Sequence, residues 1–150
     1  MMALKRHTAL QQLSREHHHA LMLCWKIRTG FSKGVSVQRI KSYADWFYTG
    51  HLLPHFELEE KYIFPILGND SLIARALNEH RSLSDFFKET NSMENALKRA
   101  EVELAKHIHF EERVLFNKIQ NVASPEQLHM IKLLHSEEKF IENTDDVFWK

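Results

Sequence analysis

Glycine and proline are scarce in this chain, with 4 glycines and 3 prolines among 150 residues. β-Sandwiches and barrels need these residues at their many tight turns, so the composition argues against a turn-rich β fold. The composition favours a few long secondary-structure elements, and such elements are typically α-helices. A chain of this length buries a full hydrophobic core, so we expect a single domain over residues 1–150.

Apolar residues recur at steps of three and four along four long segments, which predicts four amphipathic helices. Their approximate ranges are 8–29, 37–64, 70–91 and 92–121, with Asn69 or Asp70 as the cap of the third. The run Ser124-Pro-Glu-Gln127 predicts a shorter fifth helix to about Ile141, because it offers an N-cap, a proline at the first position and a capping-box glutamine.

Short loops make consecutive helices antiparallel, so we expect an all-α fold, an up-down-up-down four-helix bundle with an additional short C-terminal helix. The bundle covers about 8–121, and the appended helix and tail cover about 124–150. Near the end of the tail are Phe148 and Trp149, which we expect to dock on the bundle, because a free tail would expose their large apolar rings to water.

The chain carries 20 basic and 20 acidic residues, so no summed positive field is available to hold nucleic acid. It has no apolar run of about 18 residues and no apolar stretch of a secretory signal, which argues against membrane insertion and export. The single cysteine, Cys24, cannot form an internal disulfide, and we expect an inert core thiol there. These observations predict a cytoplasmic protein.

Histidine is plentiful, with 11 residues, and two of them belong to a repeat. The segment His55-Phe-Glu-Leu-Glu59-Glu lies 52 residues before His107-Ile-His-Phe-Glu111-Glu, and apolar residues follow at matching offsets in both. Residues four apart share one helix face, so each helix directs an imidazole and a carboxylate to the same point within an apolar stripe. A carboxylate in a core costs several kcal/mol unless it is compensated, so the two glutamates imply a shared cation.

The other two bundle helices supply matching histidines, each directly after a glutamate. In the triplet of residues 17–19, His17 is the inward residue because Leu13 and Leu21 lie one turn to either side. Either histidine alone would be read as an ordinary core histidine, but next to the paired motifs we interpret both as ligands. The candidate metal ligands are His17, His55, Glu59, His80, His107 and Glu111.

Several neighbours of these residues receive other expectations. His51, one turn before His55, is predicted to line a channel or to donate a hydrogen bond, with direct ligation as the alternative. Glu60 and Glu112 are expected on the surface beside lysine or arginine. Tyr62 and Val114 are expected in the core.

The order Glu-His, His-x-x-x-Glu-Glu-x-x-Ile-Phe-Pro, Glu-His, His-x-x-x-Glu-Glu-x-x-Leu-Phe resembles the hemerythrin-like (HHE cation-binding) proteins over nearly the whole chain. The resemblance implies two iron ions bridged by oxide or hydroxide, with the four histidines as terminal ligands and the two glutamates as further bridges. Zinc and manganese are the substitutes, because histidine and carboxylate suit them as well.

One position departs from the oxygen-carrying hemerythrins. They have a further histidine four residues after the one that corresponds to His80, and here that residue is Ser84. The smaller ligand set implies iron positions open to oxygen, nitric oxide or peroxide, for sensing, detoxification, iron handling or iron-centre repair. The alternative interpretation is a regulatory or interaction bundle in which a metal only stabilises the fold.

Overall fold

A computed structural model describes residues 5–134 and 139–150, and every regular element within those ranges is helical. The first bundle helix is α1 (Gln11–Ser32), preceded by a 3-10 turn, Thr8–Leu10, and the third is α4 (Ser71–Lys88). The second consists of α2 (Val37–Phe47), a π-helical segment (Tyr48–Leu52), α3 (Leu53–Leu58), a second π-helical segment (Glu59–Ile63) and a 3-10 turn (Phe64–Leu67). The fourth consists of α5 (Met93–Phe110), a π-helical segment (Glu111–Leu115) and α6 (Phe116–Val122). The shorter α7 (Pro125–Leu134) follows.

The all-α prediction is thereby confirmed, and two helix starts agree with their sequence signals. The Asp70 carboxylate accepts from the Leu72 backbone N–H at 2.8 Å. At α7 the Gln127 N–H donates to the Ser124 hydroxyl at 3.1 Å, and the Ser124 N–H donates to the Gln127 side chain at 2.9 Å. This is the reciprocal capping box that the sequence predicts.

The predicted end of the fifth helix at Ile141 is wrong. Helix α7 is described to Leu134, residues 135–138 lie outside the described ranges, and residues 139–141 are not helical. There the chain brings the Phe140 ring against Phe47 and His51, with ring centroids 6.0 and 5.0 Å away. Packing of this aromatic residue replaces the regular helix.

The core consists of two apolar clusters separated by a buried polar layer. Along α1, Leu13 belongs to one cluster and Leu23 to the other, and His17 lies between them. Along α4, Ala76 and Leu83 are divided in the same way by His80. The two clusters occur in alternating order along successive bundle helices, which agrees with the up-down-up-down prediction; the connectivity itself stays a prediction.

Two π-helical segments begin at the glutamates of the repeat and change which residues face inward. The Phe64 N–H bonds back to the Glu59 carbonyl, five residues earlier, so each such segment holds one residue more than a regular turn. Tyr62 and Val114 are therefore 40% and 45% exposed, while the residues after them, Ile63 and Leu115, are fully buried. The expectation that Tyr62 and Val114 lie in the core is wrong because the added residue rotates them outward.

Residues 139–150, the C-terminal strap, pack on α1 and α2. Phe148 is buried against Gly30, where a Cβ would lie 2.7 Å from Phe148 Cε2. The Trp149 ring meets the Tyr43 ring edge-on at 5.0 Å, so the predicted docking of both aromatic residues is confirmed. No described helix combines the length and apolar content that crossing a membrane requires.

Two polar anchors also hold the strap. The Glu142 carboxylate accepts from the buried Lys26 ammonium at 2.5 Å and from the Tyr43 hydroxyl at 2.5 Å. The Arg39 guanidinium donates to both carboxylate oxygens of Asp146, at 2.7 and 2.8 Å. Paired and hydrogen-bonded in this way, the Lys26 ammonium can stay buried.

Gly30→Ala is expected to lower the free energy of unfolding by about 1–3 kcal/mol, because the added methyl overlaps Phe148 and the Ile40 side chain. In a Phe148→Ala background the same change is expected to cost less, because the closer obstacle is gone. Urea unfolding of the two single variants and the double variant measures this coupling.

Gly50→Ala is the matched control, because a Cβ at Gly50 meets nothing within 4 Å. It is expected to be neutral or stabilising by up to about 1 kcal/mol. Equal costs of Gly30→Ala with and without Phe148 would contradict the close packing of the strap on α1.

Candidate metal centre

The polar layer of the core brings together all six residues that the sequence nominates. They come from every bundle helix, and each is at most 5% exposed: His17, His55, Glu59, His80, His107 and Glu111. They form two groups in which ligand atoms lie within 4.8 Å of one another. One group contains His17 and His55, the other contains His80 and His107, and both groups contain Glu59 and Glu111. Such groups can hold metal ions, and here the two carboxylates lie between two pairs of imidazoles.

Each histidine directs its Nε2 atom at these carboxylates. The closest oxygen of Glu111 lies 2.9 Å from His17 Nε2 and 3.4 Å from His107 Nε2. The closest oxygen of Glu59 lies 3.3 Å from His55 Nε2 and 3.2 Å from His80 Nε2. The Nε2 atoms of His17 and His55 are themselves 3.1 Å apart. The centre of the layer is therefore lined by lone pairs of nitrogen and oxygen.

The Nδ1 atom of every one of these histidines contacts a carboxylate from a different bundle helix. Glu16 of the first helix lies 2.9 Å from His55 of the second helix, and Glu60 of the second helix lies 2.7 Å from His80 of the third helix. Glu79 of the third helix lies 2.7 Å from His107 of the fourth helix, and Glu112 of the fourth helix lies 2.8 Å from His17 of the first helix. These four contacts close a circuit around the bundle, which we call the carboxylate ring.

The carboxylate ring corrects the sequence analysis at two positions. Glu60 and Glu112 were expected to pair with lysine or arginine on the surface, and Glu112 does lie 3.6 Å from Arg6. Both nevertheless bind a histidine of the next helix, because a residue about 100° past an inward glutamate points along the interhelical groove. The available signal in the sequence was a glutamate directly before His17 and His80, and directly after Glu59 and Glu111.

When an imidazole is neutral, its Nδ1 contact with the carboxylate ring favours the hydrogen on Nδ1 and leaves Nε2 able to bind a metal ion. A carboxylate only accepts hydrogen bonds, so each Nδ1–H donates to its ring carboxylate, and Nε2 of the neutral imidazole keeps its lone pair. At the centre, lone pairs then face lone pairs unless a cation or an additional proton lies between them. Buried atoms without a hydrogen-bond partner include both Glu59 oxygens, Glu111 Oε2 and the Nε2 atoms of His80 and His107. The six side chains do not satisfy one another, which argues against a metal-free core.

The pKa values of the buried groups reflect the same shortage of positive charge. Burial by itself lowers the pKa of His107, but the charge of Glu111, its close contact with the imidazole and the hydrogen bond to Glu79 raise it to about 10. The pKa values of His17, His55 and His80 are also raised, against burial, by neighbouring glutamates. Without a metal ion, protons on the imidazoles supply the compensating charge.

Two further residues from the sequence analysis lie apart from the centre. His51 is partly buried, packs edge-on against the Trp46 ring at 5.0 Å and belongs to neither group of ligand atoms. It lines the cavity that reaches His55, so the channel-lining interpretation fits its position. Cys24 is buried in α1, and burial raises the pKa of its thiol to about 12, so this thiol is inert as expected.

The comparison with protein families gives one match, a family described as Hemerythrin HHE cation binding domain, over residues 8–118. The matched range contains all six nominated ligands and the carboxylate ring, and it ends before α7 and the C-terminal strap. Neither the comparison with curated proteins nor that with solved structures gives a match.

Glu60→Ala is expected to weaken the binding of a divalent metal ion by roughly 10- to 100-fold, because it frees the His80 ring that Glu60 orients. Competition with a chromophoric chelator measures the affinity. Glu57→Ala is the matched control, since Glu57 is exposed three residues earlier in the same bundle helix. Equal affinities of the two variants would contradict an orienting role for the carboxylate ring.

Metal binding at neutral pH is expected to release protons. A metal ion takes the Nε2 lone pair only from a neutral imidazole, and the pKa values of all four histidines are raised in the metal-free protein. The apparent affinity should therefore rise with pH while the four imidazoles lose their protons, His107 at about pH 10 and His55 well above its ordinary pKa. Calorimetric titration in two buffers of different ionisation enthalpy counts the released protons, and a result of zero would contradict the assignment.

Proposed function

The chain belongs to the hemerythrin HHE cation-binding domain family, and on that premise we propose that it holds two iron ions and binds a small diatomic molecule or peroxide at them. The observation that carries this proposal is the pair of buried ligand groups that share Glu59 and Glu111. A single metal ion would need only one of the two groups. Two groups with common carboxylates suit two ions held side by side.

The residues of the centre have distinct tasks in this proposal. His17 and His55 hold one ion, His80 and His107 hold the other, and Glu59 and Glu111 bridge them. When bound, the iron pair supplies Lewis acidity and electrons for redox change. The carboxylate ring increases the basicity of the imidazoles and fixes their orientation.

The size of the ligand set supports binding of a further molecule. Four histidines and two bridging carboxylates do not complete the coordination of two six-coordinate ions, even with an oxide or hydroxide bridge. Ser84, one turn after His80, provides no imidazole to fill one of the remaining positions. We therefore propose sensing or detoxification of oxygen, nitric oxide or peroxide, iron handling, or iron-centre repair, in preference to stable oxygen carriage.

The protein purified from iron-replete cells is expected to contain two iron ions per chain and to show a ligand-to-metal absorption band that changes on exposure to nitric oxide. His55→Ala and Glu111→Ala should each lower the iron content and the band, because each removes a buried ligand. His109→Ala is the control, since His109 is exposed two residues from His107.

Elemental analysis and visible spectra under air and under nitric oxide decide between the candidate functions. A chain that takes up no metal after iron loading would overturn the proposal. One tightly held zinc ion without a spectral response would instead support the structural-metal alternative, because structural zinc sites are closed and four-coordinate.

A further inference from the structure

A cavity of about 1020 Å³ connects the surface to one side of the candidate metal centre. Its lining residues range from exposed ones, such as Arg15, to the buried His17 and His55. Neither His80 nor His107 is among the described residues that line the cavity. The two pairs of candidate ligands therefore differ in their access to solvent.

Phe140 of the C-terminal strap forms part of the cavity wall. Its ring stacks on His19 with centroids 4.3 Å apart and an interplanar angle of 18°, and it packs against His51 at 5.0 Å. Both histidines line the same cavity. Phe140 thus brings its ring to the cavity from a segment that lies beyond the family match at residues 8–118.

The position of Phe140 is determined by the rest of the strap. Glu142, two residues further on, is held by Lys26 and Tyr43 at 2.5 Å each, and Phe148 is buried against Gly30. With an anchor two residues further on and its own ring packed against His19, Phe47 and His51, Phe140 is held at the cavity wall. Its volume therefore limits the width of the cavity at that point.

We propose that small ligands reach the metal centre through this cavity, on the His17–His55 side, and that Phe140 is a specificity-determining residue of the entrance. This inference rests on the proposed function, since it concerns access to the ions proposed there. Phe140 acts here on the passage of the ligand, and its ring packs against His19, Trp46, Phe47 and His51.

The charges around the cavity indicate the class of ligand that it admits. Among the described residues, the exposed Arg15, Lys132 and Lys139 line it, and the acidic Glu16 of the lining is hydrogen-bonded to His55. The buried part of the lining includes the apolar Ala20, Phe47 and Leu52. Exposed basic side chains attract small anions, and apolar walls let small neutral molecules pass.

The test uses the iron-loaded full chain, azide as an anionic probe and nitric oxide as a neutral one, with stopped-flow absorption as the readout. Phe140→Ala is expected to accelerate azide association and dissociation together by roughly tenfold, as a barrier lowered by about 1.4 kcal/mol would, and to leave the equilibrium constant nearly unchanged. Phe140→Leu should give an intermediate acceleration. Azide association with the wild-type chain should slow as salt is added, because exposed basic side chains line the cavity.

The control is Phe86→Ala, which removes the same ring from a partly buried position of α4 outside the cavity lining. Iron content and the absorption band of each variant, measured first, show whether the centre is intact. Wild-type rates in Phe140→Ala with an intact centre would overturn the access route and leave the proposed function standing. A wild-type chain that holds no iron, or whose iron binds neither probe, would overturn both proposals.

Discussion

Two glutamates, each 0% exposed, lie between the two halves of an apolar core, and compensation of their charge is the constraint around which this molecule is organised. An ionised carboxylate in such surroundings costs several kcal/mol unless positive charge or hydrogen-bond donors replace the lost water. When they are neutral, the four nearest imidazoles offer Nε2 lone pairs instead of donors, because their Nδ1 hydrogens are directed to the carboxylate ring; protons or metal ions on Nε2 supply the missing positive charge. The protein thus collects negative charge and electron pairs at one place, and only cations can make that arrangement stable.

The carboxylate ring explains how four helices hold the six nominated side chains in position. Each bundle helix provides a histidine to the centre and an acid to the histidine of the next helix, so a shift of any one helix disturbs two of the four contacts. Networks of this kind are favourable only when every member has its partner, which couples helix packing to occupation of the centre. The ring also places four carboxylates just outside Glu59 and Glu111. Six carboxylates around one polar layer favour multiply charged cations over a single monovalent ion.

The sequence analysis nominated six residues that the fold brings together in two groups, because helical periodicity places residues four apart on one face, wherever the neighbouring helices lie. The capping residues Asp70 and Ser124 were predictable for the same reason, since each acts within its own turn. The histidine partners of Glu60 and Glu112 were missed because the partner of a residue at the edge of a helix face is decided by the adjacent helix. The exposure of Glu60 and the pairing of Glu112 with Arg6 agree with the expectation. The π-helical segments were missed because nothing in helix propensity marks them. The signal was the adjacent apolar pair Ile63-Phe64, repeated as Leu115-Phe116, which a regular helix would not bury equally.

The two halves of the centre have the same ligand types but different surroundings. The His80 ring is stacked on Phe56, with centroids 3.9 Å apart, and tilted against Phe64 at 5.3 Å, so apolar rings cover its sides. His55 instead borders the cavity beside Glu16, a polar residue near the surface. Because both halves offer two imidazoles and the same two carboxylates, the difference between them lies in their surroundings. In the proposed access route, packing outside the six nominated residues, including a strap beyond the family match, decides which half an incoming molecule meets.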